Sequence, residues 1–461
     1  MLTKIIYKNF RSNLKNYILF FLSNIVASME LFVFRGLKEI VLQIVKDTET
    51  AFLFRIDFTM ALGMISVITI MLMAYAMIYY LKSRIRDYGL FIMMGMHKRM
   101  VFSLMLIEYI LGWVFSSILG LILGTGILYG IQFLLHKIAP LYFVRIVTAN
   151  LNIYVYSIKF SIGIMIFTFF AVIVWIENHN LSSLIQAEEK IQKCPQKGYW
   201  TIAVIIGIIL SVIAWFMFPS YEEVHYDAYF IWIIGGFLIL TFGMGVLLEE
   251  IKKHEQFFYL KNVLQINQFS SKYQNNLMLV LMFFVIHFFA LTYISTEISS
   301  LLPIEGITVF QPDDSHSPHA ICYNKTVFLK EQKISNIFLL FSKLFILITL
   351  LISGAFIMVV KNLAEMSSYQ RRYEFFYSMG MKQKEQKKIL SFEICSVANI
   401  ALGTGICLAL LYVMTYLHWY DAMGEKISTT FWIYWLKLVG IYIIIQIVVQ
   451  KLFVRYVNKR I

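Results

Sequence analysis

The sequence predicts an all-α polytopic membrane protein of about ten transmembrane helices built around two parallel repeats. Three observations predict it. Apolar residues make up 59% of the 461 residues and charged residues only 15%, with a mean hydropathy of +0.72. Soluble domains carry about 25% charge, so these charges are too few to cover a soluble surface. The same hydrophobicity excludes a disordered chain. The apolar residues gather in long runs, and one segment recurs at a fixed offset of 285 residues.

A spanning helix requires about 20 mostly apolar residues. Ten such runs lie near 16–37, 57–80, 101–135, 150–176, 199–218, 229–248, 276–298, 336–360, 389–417 and 429–453. The run at 101–135 would extend about 52 Å as a helix, well beyond a ~30 Å hydrocarbon core. It is read as one long helix projecting outward, because a further span would invert the charge bias of everything downstream. On this count, segments on the side of the N-terminus hold 27 basic residues and those on the other side hold nine. Positive charge accumulates in the cytoplasm. Both termini are therefore expected in the cytoplasm, with the chain multi-pass in a bacterial plasma membrane.

The net charge of +13 follows from these flanking residues. It is topogenic, and no nucleic-acid partner is expected. The first fifteen residues, and the stretch opened by Lys261-Asn262, read as amphipathic elbows on the membrane surface. A cleaved signal fits the first less well, since the apolar run that follows is longer than an ordinary signal core. The four cysteines, Cys194, Cys322, Cys395 and Cys407, form no CxxC pair. No disulfide framework or zinc site is expected.

The repeat matches Arg86-Asp-Tyr-Gly-Leu-Phe-Ile-Met-Met-Gly-Met96 to Arg371-Arg-Tyr-Glu-Phe-Phe-Tyr-Ser-Met-Gly-Met381 without a gap. The same offset carries Glu108 onto Glu393 and Gly120 onto Gly405. Each copy follows one span and leads into another, and six spans separate them. The repeats are therefore parallel, related by an axis along the membrane normal, and present two similar cytoplasmic surfaces to two copies of one soluble partner. Each copy reads as a short basic helix. Arg84 and Arg86 precede an apolar stripe of Tyr88, Phe91 and Ile92; Arg371 and Arg372 precede Tyr373, Phe376 and Tyr377. Met94-Gly95 and Met379-Gly380 follow, and each glycine fits the left-handed position just past a helix C-terminus.

This pattern resembles the FtsX-like ABC transporter permeases. They share a basic cytoplasmic helix closing on Met-Gly-Met, a following span with an early acidic residue, and then small residues. Two such regions in a ten-span chain are similar to the bacitracin-export (BceB-like) type. Here, however, 299–335 is only a loop where that type carries a large extracellular domain. The resemblance implies five regions. These are an elbow, span and outer loop (1–56), a first FtsX-like repeat (57–176), and two linking spans with a second elbow (177–275). A seventh span with a short extracellular loop (276–335) and a second repeat (336–461) complete them.

It further implies two cytoplasmic ATPase subunits docked on Arg84, Arg86, Tyr88, Phe91, Met94 and Gly95, and on Arg371, Arg372, Tyr373, Phe376, Met379 and Gly380. ATP and Mg would be held by those partners. This chain has no GxxxxGK[ST] phosphate loop and binds no cofactor of its own on this reading. Membrane lipid and a sensor histidine kinase are the other partners implied. The expected work is removal or export of antimicrobial peptides, or of a cell-envelope lipid or lipoprotein. The rival readings are a proton-coupled secondary transporter and a non-transporting regulator of an envelope enzyme.

Charges inside spans are costly and are usually paired or functional. Glu108 and Glu393 are expected to pair with Arg84/Arg86 and Arg371/Arg372, supporting each coupling helix. Lys159 and Lys437 lie near span ends and can snorkel, and Glu30 can pair with one of them. Small residues at Gly120, Gly124 and Gly405 mark packing seams. Asp313, Asp314, His316 and His319 sit in a Pro-containing loop read as a solvated turn rather than a metal site. No nucleophile–base pair or paired-carboxylate arrangement is legible, so no catalytic residue is assigned.

Overall fold

The computed structural model describes residues 14–44, 48–138, 151–177, 197–217, 227–254, 259, 262–301, 325–422 and 430–460. The first elbow up to residue 13 and the loop with Asp313, Asp314, His316 and His319 lie outside them. Twelve helices occur among the described residues: α1 (Leu14–Ile44), α2 (Thr48–Met93), α3 (Lys98–Ile138), α4 (Leu151–Glu177), α5 (Lys197–Met217), α6 (Asp227–His254), α7 (Val263–Ser271), α8 (Tyr273–Leu301), α9 (Lys325–Ala364), α10 (Met366–Ser378), α11 (Gln383–Ala422) and α12 (Thr430–Arg460). Ten of them are long and apolar enough to cross a membrane. The protein is an all-α, multi-pass membrane protein. The run at 101–135 is a single helix, as the charge pattern requires.

The chain forms two compact units. The first comprises residues 1–190 with 355–365, and the second 191–354 with 366–461. In the first unit α1 and α3 lie side by side and run parallel. A Cβ at Gly120 would come 2.8 Å from the Ile25 carbonyl oxygen and from Ser28 Cβ, and one at Gly124 would come 2.9 Å from the Phe32 ring. Without a hydrophobic drive between helices in lipid, this close approach supplies the attraction. In the second unit Gly405 of α11 does the same against α8, where a Cβ would meet His287 Cβ at 2.9 Å. The small residues at Gly120, Gly124 and Gly405 are thus helix-packing seams. The α5–α6 pair adds another: Trp232 Nε1 donates to the Ser211 carbonyl at 3.1 Å, beside the facing Gly207 and Gly235.

Gly403 lies on the same helix as Gly405 but faces open space. Gly405→Ala is expected to destabilise the second unit by about 1–3 kcal/mol through overpacking. Gly403→Ala is expected to be neutral or to stabilise by up to about 1 kcal/mol, by helix propensity alone. Thermal unfolding of the two variants in detergent checks the contrast.

Candidate functional site

The apolar window of α2 ends at Ile78, yet the helix continues to Met93. Fifteen further residues make an arm of about 22 Å. The arm ends in a Schellman turn: the Gly95 N–H donates to the Ile92 carbonyl at 3.0 Å and the Met96 N–H to the Phe91 carbonyl at 3.0 Å. Gly95 has φ +91°, a conformation that costs any residue with a Cβ. The chain reverses there and re-enters the bundle as α3.

In the second unit α10 is the arm and the same turn closes it. The Gly380 N–H donates to the Tyr377 carbonyl at 3.0 Å and the Met381 N–H to the Phe376 carbonyl at 3.1 Å, with φ +80° at Gly380. Gly95 and Gly380 are the only positive-φ glycines among the described residues. Both fall where the spacing predicted them.

A buried glutamate lies at the base of each hairpin. Glu108 of α3 accepts from the Tyr80 hydroxyl at 2.7 Å and from the Tyr88 hydroxyl at 3.0 Å. Both tyrosines belong to α2, so the carboxyl group clasps the arm to the next span. Aromatic packing surrounds this clasp, with the Phe20 ring 5.4 Å from Tyr80 and 5.5 Å from Tyr109, and Tyr109 stacked on Phe169 at 5.6 Å. Ala76, Met77, Val101, Leu104 and Met105 complete the buried cluster.

In the second unit Glu393 of α11 accepts from Arg372 Nη2 at 3.2 Å and from Gln268 Nε2 at 2.8 Å, with Lys272 Nζ at 3.6 Å. Here three elements meet, because α7 supplies Gln268, α10 supplies Arg372, and Lys272 joins α7 to α8. The buried Tyr369 ring lies under both cations, 5.1 Å from the Arg372 guanidinium and 5.5 Å from Lys272.

Tyr373 donates its hydroxyl to the Gln386 carbonyl at 2.6 Å, and Gln386 Nε2 returns to the Met381 carbonyl at 3.2 Å, locking the turn. Burial, and then the nearby Glu393 charge, raise the Tyr373 pKa above the ordinary tyrosine value. The hydroxyl therefore stays protonated. Its contribution is complete below the unfolded tyrosine pKa of about 10 and is lost only as pH rises through the higher folded value.

Glu393 is paired with Arg372, one of the two arginines the sequence nominated; Arg371 is exposed. Glu108 meets tyrosines, and the side chains of Arg84 and Arg86 fall outside the described residues. Two placements differ from expectation. Tyr88, expected on an outward stripe, is only 5% exposed, and Phe91 and Ile92 pack on the same buried cluster. The outward apolar residues are Leu90, Met93 and Met94, the last 74% exposed. In the second copy Tyr373 and Phe376 are half-buried. Phe375, Tyr377 and Met379 stand outward, with Met379 69% exposed. Each arm carries two apolar stripes, and only tertiary packing decides which faces in.

Sequence reasoning missed Gln268, Lys272 and Tyr80. The elbow assignment at Lys261-Asn262 was the available signal for the first two. Tyr80 lies eight residues before Tyr88, two turns down the same helix face.

Residues 59–178 match the family model described as FtsX-like permease C-terminal. The chain therefore carries an FtsX-like permease domain, about a quarter of its length, containing the first hairpin with its glutamate clasp. The family is one of transport subunits of ABC transporters. No curated protein matches the chain.

The Glu393 clasp is expected to respond to salt. Arg372 and Lys272 are about a quarter exposed, and near 1 M salt the screening length falls to about 3 Å. Hydrogen exchange in α10 and the start of α11 is expected to accelerate at high salt. Glu393→Gln should abolish that salt dependence at a cost of about 1–3 kcal/mol. Tyr80→Phe should cost about 1 kcal/mol.

Proposed function

We propose that this chain is the permease subunit of an ABC transporter in a bacterial plasma membrane, moved by two copies of a separate cytoplasmic ATPase. The observation that carries the reading is the pair of equivalent hairpins. Each projects from a span, turns at a left-handed glycine, is clasped by a buried glutamate at its base, and shows exposed apolar side chains at its tip. Exposed apolar clusters mark interaction sites. Leu90, Met93 and Met94 form one, and Phe375, Tyr377 and Met379 the other. Methionine adapts readily to a partner groove. Exposed Arg371, Lys382, Lys384, Lys387 and Lys388 surround the second tip, and Arg99 adjoins the first.

Six spans separate the hairpins, which supports their emergence on one face. The 27-to-9 distribution of basic residues supports that face, and both termini, being cytoplasmic. In this reading ATP-driven closure of the two partners pushes the tips. The clasps at Glu108 and Glu393 carry that motion into α3 and α11. ATP and Mg belong to the partners. The similarity to the bacitracin-export type supports an antimicrobial peptide or a cell-envelope lipid or lipoprotein as the object moved, and a sensor kinase as an associated protein.

Purification of the chain from its native membrane is expected to retain an ATPase at two copies per chain. Met94→Asp combined with Met379→Asp is expected to lower that retention at least tenfold while leaving the thermal stability of the permease unchanged. A purified complex without a nucleotide-hydrolysing companion, or hairpin cysteines labelled from outside intact cells, would overturn the reading.

A further inference from the structure

The two copies diverge in charge just past their turns. At the offset of 285, His97, Arg99, Phe102 and Ser103 of the first copy stand where the second has Lys382, Lys384, Lys387 and Lys388. Residues 382–388 thus hold four lysines and one acid, Glu385. All four lysines are exposed, and none of their ammonium groups is in an ion pair or hydrogen bond among the described residues. Glu393, the next acid along α11, is already engaged by Arg372 and Gln268. The protein leaves this positive patch unanswered.

The patch has a face and a depth. Residues three and four apart share a helix face, so Lys384, Lys387 and Lys388 form one row on α11. Phe392 continues that row one turn further on and is exposed, about 6 Å along the axis from Lys388. The apolar run of this span opens at Ile389, directly after the lysines. In the first copy the position of Lys387 holds Phe102, also exposed, with its ring 5.9 Å from Phe169 of α4. The row therefore lies where an apolar span meets the headgroups, with charge on the outer side and an aromatic ring on the hydrocarbon side.

An occupant of the row must bring negative charge to the lysines and hydrocarbon to Phe392. An acidic protein surface in the cytoplasm brings only the first. Two copies of one ATPase, as proposed for the hairpins, would also meet the same chemistry on both, and the first copy has no charge at the positions of Lys387 and Lys388. We propose that Lys384, Lys387 and Lys388 hold the phosphodiester of an anionic phospholipid of the phosphatidylglycerol kind, with an acyl chain lying along Phe392. Lysine binds phosphate as a point charge, and basic clusters flanking a span attract anionic lipid. The choice of lipid over a protein surface rests in part on the ATPase reading, but the lipid site itself needs no ATPase.

The full-length chain in phosphatidylcholine nanodiscs, with phosphatidylglycerol added stepwise, provides the test. An amine-acylating reagent followed by mass spectrometry reads each lysine. Acylation of Lys387 and Lys388 is expected to slow about tenfold and to saturate, whereas Lys451 and Lys459, exposed at the end of α12, slow less than about twofold through the surface potential alone. In mixed micelles, Lys384→Gln combined with Lys387→Gln and Lys388→Gln is expected to lower the phosphatidylglycerol retained per chain about tenfold. Lys451→Gln combined with Lys459→Gln should leave it unchanged. Equal slowing at both sets of lysines, or none at either, would overturn the proposal. So would equal protection by soluble glycerol phosphate in pure phosphatidylcholine discs, or protection seen only while an ATPase companion is bound. A chain that purifies without an ATPase leaves every one of these readouts intact, so the two readings fail separately.

Discussion

A carboxyl group buried a few turns into a long apolar helix must be satisfied by the protein, because little water reaches it. That requirement organises both halves of this chain. Satisfying Glu108 draws Tyr80 and Tyr88 inward, which fixes the rotation of the α2 arm about its own axis. Once that rotation is set, Phe91 and Ile92 fall on the buried side and Leu90, Met93 and Met94 on the other. Glu393 sets α10 in the same way through Arg372 and adds the α7 elbow through Gln268. The exposed tips are thus a consequence of the buried bases.

The donors seen at the two glutamates differ. At the offset of 285, Asp87 stands where the second copy has Arg372. Two tyrosine hydroxyls are among the donors in the first copy. Tyr88 and Tyr373 occupy equivalent positions yet serve different acceptors, Glu108 in one case and the Gln386 carbonyl in the other. The repeat preserves a shape, an arm ending in a left-handed glycine, more closely than it preserves the bonds that hold it.

Much of this was legible in the sequence because it depends on local physics. Ten apolar runs became ten candidate spans, since length and hydropathy alone decide them. Gly95 and Gly380 announced their turns because few other residues take a positive φ. Gly120, Gly124 and Gly405 announced their seams because small residues let helices approach. A partner for Glu393 from the Arg371/Arg372 pair was legible because a charge inside a span calls for one. The inward turn of Tyr88 was not, since a stripe at helical spacing does not say which neighbour it meets. Gln268 and Lys272 were not either, because 125 and 121 residues of chain separate them from Glu393 and no spacing rule spans that gap.

One difference between the copies concerns stiffness. α2 runs unbroken from Thr48 to Met93, and Tyr80 is bonded to Glu108 partway along it. At the position matching Tyr80 the second copy has Glu365, where α9 gives way to α10. A continuous helix is a rod and conveys torque along its length, whereas two helices joined at one residue make an articulated linkage.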